Sequence, residues 1–211
     1  MNKKEEFLKI MDFRHACKLF DETKKITDED MHYILEVARK SPSSFGMEAW
    51  KFLVITNDEL KSKLKPFCWN QVQITTCSHL VIVLAGIENL KVESGVVQKQ
   101  LMRRDMPQEK LNSFIELYAS HLSDTLSSNE KIYQWSARQT YIASANMMNA
   151  AANIGIDSCP IEGFEKDNIE KVLDLDTSKY QVAMILPFGY RINEQSKQLR
   201  SSFESVVEFI K

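Results

Sequence analysis

The sequence predicts an α+β fold with helices on both faces of a sheet. Four apolar, β-rich runs are separated by longer segments whose apolar residues recur at helical spacing. Few strands between long helices are typical of a sheet covered on both sides. The chain has 211 residues, a length that suits one domain with a real core. We therefore expect a single domain, residues 1–211, with four or five strands.

Each element follows from apolar spacing, capping residues and proline. Thr27 with Asp30 resembles a capping box at a helix start. Pro42 limits that helix, because proline disfavours helix in the residue before it. Gly155 is expected just after the longest helix, as its C′ residue. In chain order we expect helices at 3–13, 27–41, 57–64, 91–126, 130–154 and 167–173, and strands at 50–56, 80–85, 156–161 and 181–188.

The tail from residue 195 is apolar toward its end, where Phe203, Val206, Val207, Phe209 and Ile210 occur. So apolar a segment is unfavourable in water. We expect it to pack on its own domain or on a partner subunit.

Charge and composition argue against several classes. Lys plus Arg is 27 and Asp plus Glu is 29, a balance that does not favour nucleic-acid or anionic-membrane binding. Neither common phosphate-binding glycine motif is present. The longest apolar run, 80–87, is shorter than the ~20 residues of a membrane span, and the N-terminus lacks an apolar signal segment. We expect a cytoplasmic protein with free thiols and no metal site, since the four cysteines form no CxxC pair.

Short motifs, in order along the chain, resemble one family. Arg14-His15-Ala16-Cys17-Lys18 before Phe20 is similar to RHSxKxF. Ser41-Pro42-Ser43-Ser44 ahead of Trp50-Lys51-Phe52 is similar to SPSSxNxQPWxF. The segment 156–164, IDSCPIEGF, resembles GLDAxPIEGF. Asn70 before Ser78-His79, and Arg200 near the end, fit two further landmarks. Together these segments resemble the FMN-dependent nitroreductase family.

The resemblance implies an α+β sandwich with a central, mostly antiparallel sheet, in an intertwined homodimer. It implies FMN at the dimer interface, NADH or NADPH as electron donor, and ping-pong hydride transfer through flavin N5 to nitroaromatic, quinone or flavin-type acceptors. Residues 91–126 would be a helical excursion near the active site, and the tail 195–211 would pack on the partner. A specialised flavoenzyme on the same scaffold, such as a dehalogenase or a substrate oxidase, and a non-catalytic FMN-binding protein remain as alternatives.

The resemblance also implies which residues contact the flavin. Arg14 and Arg200 would bind the phosphate, for which an arginine fork is suited. Lys18 would face the pyrimidine edge, and the backbone of Glu162 and Gly163 would lie near N5, so no side chain is expected to be catalytic. The implied cofactor-binding set is Arg14, His15, Ala16, Lys18, Pro42, Ser43, Ser44, Gly46, Asn70, Gln73, Pro160, Ile161, Glu162, Gly163, Gln198 and Arg200. Pro42, Ser43 and Ser44 would reach the flavin of the second chain.

The sequence departs from the family pattern at several of these positions. Ala16 replaces a serine and Gly46 replaces an asparagine. Gln73 and Gln198 stand where relatives carry lysines. Cys159 lies beside the flavin or is a small buried thiol. Four aromatic residues border a substrate channel or belong to the core: Phe114, Tyr118, Tyr133 and Trp135.

Overall fold

A four-stranded antiparallel sheet forms the centre of the fold in the computed structural model, which describes residues 2–211. Its strands are β1 (Trp50–Ile55), β2 (His79–Gly86), β3 (Asp157–Ser158) and β4 (Tyr180–Gly189). The strand order is β1-β2-β4-β3. Every residue of the central β2 is buried, which explains its unbroken apolar run. The predicted α+β class with an antiparallel sheet is confirmed.

Helices cover both faces of this sheet. Their bounds are α1 Lys3–Phe13, α2 Asp28–Arg39, α3 Asp58–Leu64, α4 Gln73–Thr76, α5 Val96–Met102, α6 Gln108–Thr125, α7 Asn129–Asn153, α8 Lys166–Val172 and α9 Phe203–Val206. Leu80 and Ile82 alternate with Val81 along β2, so they pack on opposite layers. One layer contains α3, α4 and α8, and the other contains α2 and α7.

The predicted helix ends are confirmed where local chemistry specifies them. The Thr27 hydroxyl accepts a hydrogen bond from the Asp30 amide at 3.1 Å, as an N-cap of α2 should. The Asn57 side chain accepts from the Leu60 amide at 2.8 Å and caps α3. Gly155 follows α7 with φ of 76°, a left-handed conformation that favours glycine.

Two sequence-based expectations need correction. The strand expected over 156–161 is regular only at Asp157–Ser158, because Pro160 has no amide to donate. Pairing resumes at Ile161, whose amide donates to the Ile185 carbonyl at 2.9 Å. The helical stretch expected over 91–126 is divided into α5 and α6, with Pro107 preceding α6.

The excursion 91–126 packs on the first half of α7 in a third apolar cluster. Tyr118 is fully buried there, and its hydroxyl donates to the Leu90 carbonyl at 2.7 Å. Phe114, Tyr133 and Trp135 are partly buried against the same cluster. These four aromatic residues therefore contribute to core packing.

Several large apolar side chains remain exposed in the single chain. They lie on α1 (Phe7, Leu8), on α7 (Tyr141, Ile142) and on the tail (Leu199, Phe203, Val206, Phe209, Ile210). The apolar end of the tail thus does not bury itself on its own chain. Among residues 2–211, no helix is both long enough and apolar enough to cross a membrane.

Candidate functional site

A buried ion pair joins β3 to the segment that follows β4. The Asp157 carboxylate on β3 lies 2.6 Å from the Arg191 guanidinium, just past β4. The Arg191 amide also donates to Asp157 at 2.9 Å. The same guanidinium donates to the Phe13 carbonyl at 3.2 Å and lies 4.1 Å above the Phe13 ring. Arg191 therefore connects β3 to the end of α1, immediately before Arg14.

The tail completes the C-terminal end of α1, where helix carbonyls lack helical partners. The Gln195 side chain donates to the Asp12 carbonyl at 2.7 Å. The Gln198 amide donates to the carbonyls of Asp12 at 2.8 Å and Arg14 at 2.7 Å. These bonds place the tail at Gln198, two residues before Arg200, against the backbone at Arg14.

The segment after α1 lies alongside β3. Ala16 pairs with Ser158 in a parallel bridge, and His15 Nδ1 lies 3.6 Å from the Asp157 carboxylate. Burial, followed by the Arg191 charge, lowers the pKa of His15 despite the opposing effect of Asp157. The cationic groups of this segment at neutral pH are therefore Arg14 and Lys18. His15, Ala16 and Lys18 line a cavity of about 160 Å³ together with Arg191.

Lys18 lies beside the turn that follows β3. Its ammonium is 3.6 Å from the Cys159 sulfur, although the two residues are 141 positions apart. The Gln73 amide approaches the same sulfur at 3.9 Å and donates to Gln71 at 2.9 Å. Gln71 in turn donates to the Gly163 carbonyl at 3.0 Å. Burial raises the pKa of the Cys159 thiol, and the nearby Lys18 opposes that shift.

The turn 160–163 is held on both sides. Ile161 is buried and pairs with Ile185, so Pro160 follows the edge of the sheet. The Tyr141 hydroxyl of α7 donates to the exposed Glu162 carboxylate at 2.6 Å. At Gly163 an added Cβ would lie 2.6 Å from the Trp69 ring, so only glycine fits under that ring. Asn70, next to Trp69, is exposed with φ of 55°.

The loop 42–46 forms a separate part of the candidate site. The Ser44 amide donates to the Gln139 side chain of α7 at 2.9 Å. The Ser43 hydroxyl accepts from the Glu48 amide at 2.9 Å, and Pro42 is exposed. Gly46 has φ of 65° and lies against Arg104. Within residues 2–211, no hydrogen bond or ion pair joins this loop to segments 14–18 or 160–163.

The structure thus brings together most of the implied residues, but in two groups. The first contains segments 14–18, 70–73 and 160–163 with Gln198, and the second contains 42–46. Within residues 2–211, no hydrogen bond or ion pair joins Arg200 to either group. Sequence reasoning missed Asp157, Arg191, Gln71, Tyr141 and Arg104. A carboxylate in an apolar strand, as at Asp157, indicates a buried partner, and that signal was present. The other four were not distinguishable from ordinary surface residues.

Comparisons with known proteins show the family and the fold of the chain. Residues 11–190 match the model of the nitroreductase family. The Bacillus subtilis protein named "Putative NAD(P)H nitroreductase YfkO" is 38% identical over 98% of both chains. A similarly named Staphylococcus haemolyticus protein is 41% identical, again over 98% of both chains. A solved Exiguobacterium sibiricum structure, titled as a putative nitroreductase in complex with FMN, is 26% identical with a TM-score of 0.82 and covers 97% of each chain.

The Asp157–Arg191 pair predicts a specific loss of stability. Asp157→Asn leaves the partly buried guanidinium without its carboxylate, so we expect the free energy of unfolding to fall by about 3 kcal/mol. Urea denaturation measures this change. Glu59→Gln is the control, because it breaks an exposed pair with Lys63 and should change the free energy of unfolding very little. Equal losses in the two variants would contradict a structural role for the buried pair.

Proposed function

The chain belongs to the nitroreductase family, and we propose that it is a cytoplasmic FMN-dependent oxidoreductase that transfers electrons from NADH or NADPH to nitroaromatic, quinone or flavin-type acceptors. The observation that carries the proposal is the position of Lys18, 3.6 Å from the residue before the Pro160–Gly163 turn. The resemblance assigned both to one flavin. The names of the relatives support the NAD(P)H donor, and the FMN complex of the Exiguobacterium protein supports the cofactor.

The residues present fit a flavin phosphate. Arg14 and Arg200 form no ion pair within residues 2–211, and the Arg200 side chain donates only to the adjacent Leu199 carbonyl, at 2.7 Å. Arg39, Arg103 and Arg191, by contrast, each pair with a carboxylate. Two guanidinium groups without carboxylate partners match the bidentate geometry of a phosphate dianion.

The flavin supplies the redox chemistry when bound, by accepting hydride from the nicotinamide and reducing the acceptor. The chain contributes orientation and charge. Lys18 favours negative charge at the pyrimidine edge. Gln71 fixes the Gly163 carbonyl and Tyr141 fixes the Glu162 side chain, so the backbone of this turn is rigid where it would meet N5.

We propose that the second half of the site comes from a partner subunit. Within residues 2–211, no hydrogen bond or ion pair joins the loop 42–46 to Lys18, while apolar residues on α1, α7 and the tail are exposed. A dimer that buries this surface would also carry Ser43 and Ser44 to the partner's flavin.

We expect the purified protein to bind about one FMN per chain. Arg14→Ala or Arg200→Ala should weaken FMN binding by about 1.5–3 kcal/mol, as for a lost hydrogen bond to a charged group. Fluorescence titration of the apoprotein measures the affinity, with Arg39→Ala as a control outside the site. Unchanged affinity in both site variants would remove the phosphate assignment.

Anaerobic stopped-flow mixing with each nucleotide separates an enzyme from a non-catalytic FMN-binding protein. NADH or NADPH should bleach the flavin, and an acceptor should restore its colour. Bound FMN that neither nucleotide reduces would favour the binding protein.

We expect an obligate dimer whose interface reaches about 2,000 Å² or more. Light scattering should give twice the chain mass. Phe203→Glu should shift the equilibrium toward monomer, because it places a charge among apolar tail residues. Leu117→Glu, at a side chain that is exposed on α6 and outside the proposed interface of α1, α7 and the tail, is the control and should leave the dimer intact. A monomer that retains FMN would refute the shared site.

Gln73 predicts a measurable redox difference. One charge at ~4 Å is worth ~4 kcal/mol at an effective dielectric near 20. Water access would reduce this to ~1–3 kcal/mol, so Gln73→Lys should raise the flavin midpoint potential by roughly 20–65 mV. Lys18→Gln should lower it by a similar amount, and the exposed Lys63→Gln should leave it unchanged. Spectroelectrochemical titration decides the matter: no rise in Gln73→Lys would mean that position 73 does not face the flavin.

A further inference from the structure

The loop 43–48 has an unusual concentration of left-handed backbone. Phe45, Gly46 and Glu48 have φ of 53°, 65° and 49°. Residues other than glycine seldom adopt such values, and a bulky aromatic does so rarely. A conformation of this kind persists only where surrounding contacts impose it. The loop is also the one that carries Ser43 and Ser44.

Arg104, in the connection between α5 and α6, supplies the strongest of those contacts. Its guanidinium donates to the Phe45 carbonyl at 2.6 Å and lies 5.0 Å from the centre of the Phe114 ring. The Phe45 ring packs edge-on against Tyr118, with centroids 5.2 Å apart. The excursion therefore holds both the backbone and the side chain of Phe45.

Gly46 is matched to this arginine. A Cβ at position 46 would lie 2.9 Å from Arg104 Nη2, closer than real Cβ contacts allow. A larger residue would displace the guanidinium from the Phe45 carbonyl. Glycine, where the family pattern has asparagine, thus leaves the Arg104 guanidinium room at this contact, and it also suits the φ of 65°.

The neighbouring Arg103 provides a contrast on the same short segment. It pairs with Glu48 at 2.9 Å, and both side chains are well exposed, at 54% and 38%. Exposed pairs contribute little to stability. Both arginines therefore contact the loop 43–48, but Arg103 does so through an exposed side-chain pair and Arg104 through the Phe45 backbone carbonyl.

We propose that Arg104 is a positioning residue for FMN binding, because it holds the loop 43–48 in the conformation that presents Ser43 and Ser44 to the flavin of the partner subunit. This inference rests on the proposed function. In this proposal, the first part of the excursion 91–126 holds the loop 43–48 in place for FMN binding. Gly46 is the second member of this unit, since it admits the arginine.

The test compares Arg104→Gln with Arg103→Gln in the full-length protein. We expect Arg104→Gln to weaken FMN binding about tenfold, equivalent to 1.4 kcal/mol, and Arg103→Gln to change it less than about twofold. Arg104→Lys, which keeps a charged donor, should recover part of the affinity. Visible circular dichroism of the bound flavin should change in Arg104→Gln alone, because the cofactor environment changes.

Amide hydrogen exchange of the apoprotein measures directly how well the loop conformation is held. The amides of Ser44, Gly46, Met47 and Glu48 are all hydrogen-bonded in the present loop conformation. They should exchange faster in Arg104→Gln and at the wild-type rate in Arg103→Gln. Gly46→Ala should likewise weaken FMN binding and speed amide exchange in the loop. It replaces Arg104→Gln as the test variant if Arg104→Gln does not fold. The double variant Arg104→Gln/Gly46→Ala should lose much less than the hundredfold in FMN affinity that is expected for two independent sites.

The outcomes are distinguishable. Wild-type protein that binds no FMN would overturn the proposed function and the inference with it. Wild-type protein that binds FMN, together with unchanged affinity and unchanged loop exchange in Arg104→Gln, would overturn the inference alone. Additive losses in the double variant would refute the coupling of Gly46 to Arg104.

Discussion

The ion pair between Asp157 and Arg191 is the interaction on which the arrangement of the site depends. It joins the short β3 to the chain leaving β4, and its guanidinium reaches back to the Phe13 carbonyl. A buried carboxylate is costly without a partner, so the pair tolerates little displacement. Its position therefore determines where the segment 14–18 runs along β3, and hence where Arg14 and Lys18 lie.

Glutamine side chains fix further segments around the sheet by hydrogen bonds to backbone carbonyls. Gln198 donates to backbone carbonyls at the end of α1, and Gln71 donates to the Gly163 carbonyl. Both amides join segments that are distant in sequence without adding charge. Lys18 and Arg14, neither of which forms an ion pair within residues 2–211, then carry positive charge near the site. A neutral amide at 73 and 198, where the family pattern has lysines, keeps that charge low while preserving the geometry.

Two features of the single chain have one physical explanation. Arg104 and Gln139 hold the loop 42–46 by hydrogen bonds, yet within residues 2–211 no hydrogen bond or ion pair joins it to the first group of site residues. The exposed apolar residues of α1, α7 and the tail indicate that surface is still to be buried. A second copy of the chain would bury the apolar residues and could bring its own loop 42–46 to the first group of site residues. The family membership of the chain is consistent with that assembly.

The sequence by itself determined the fold class, the helix caps at Thr27 and Asn57, the glycine after α7 and the apolar central strand. Each of these depends on neighbours within a few residues, through helix or strand period, capping chemistry or proline. The ordered motifs also predicted one site that includes Lys18, Gln73 and the turn 160–163, and the structure has Lys18 and Gln73 beside Cys159, immediately before that turn. Only the tertiary structure decided that the strand after Ile156 breaks at Pro160, that Asp157 meets Arg191 and that Arg104 holds Phe45. Those outcomes depend on contacts between residues far apart in the chain, which packing selects and local sequence does not encode.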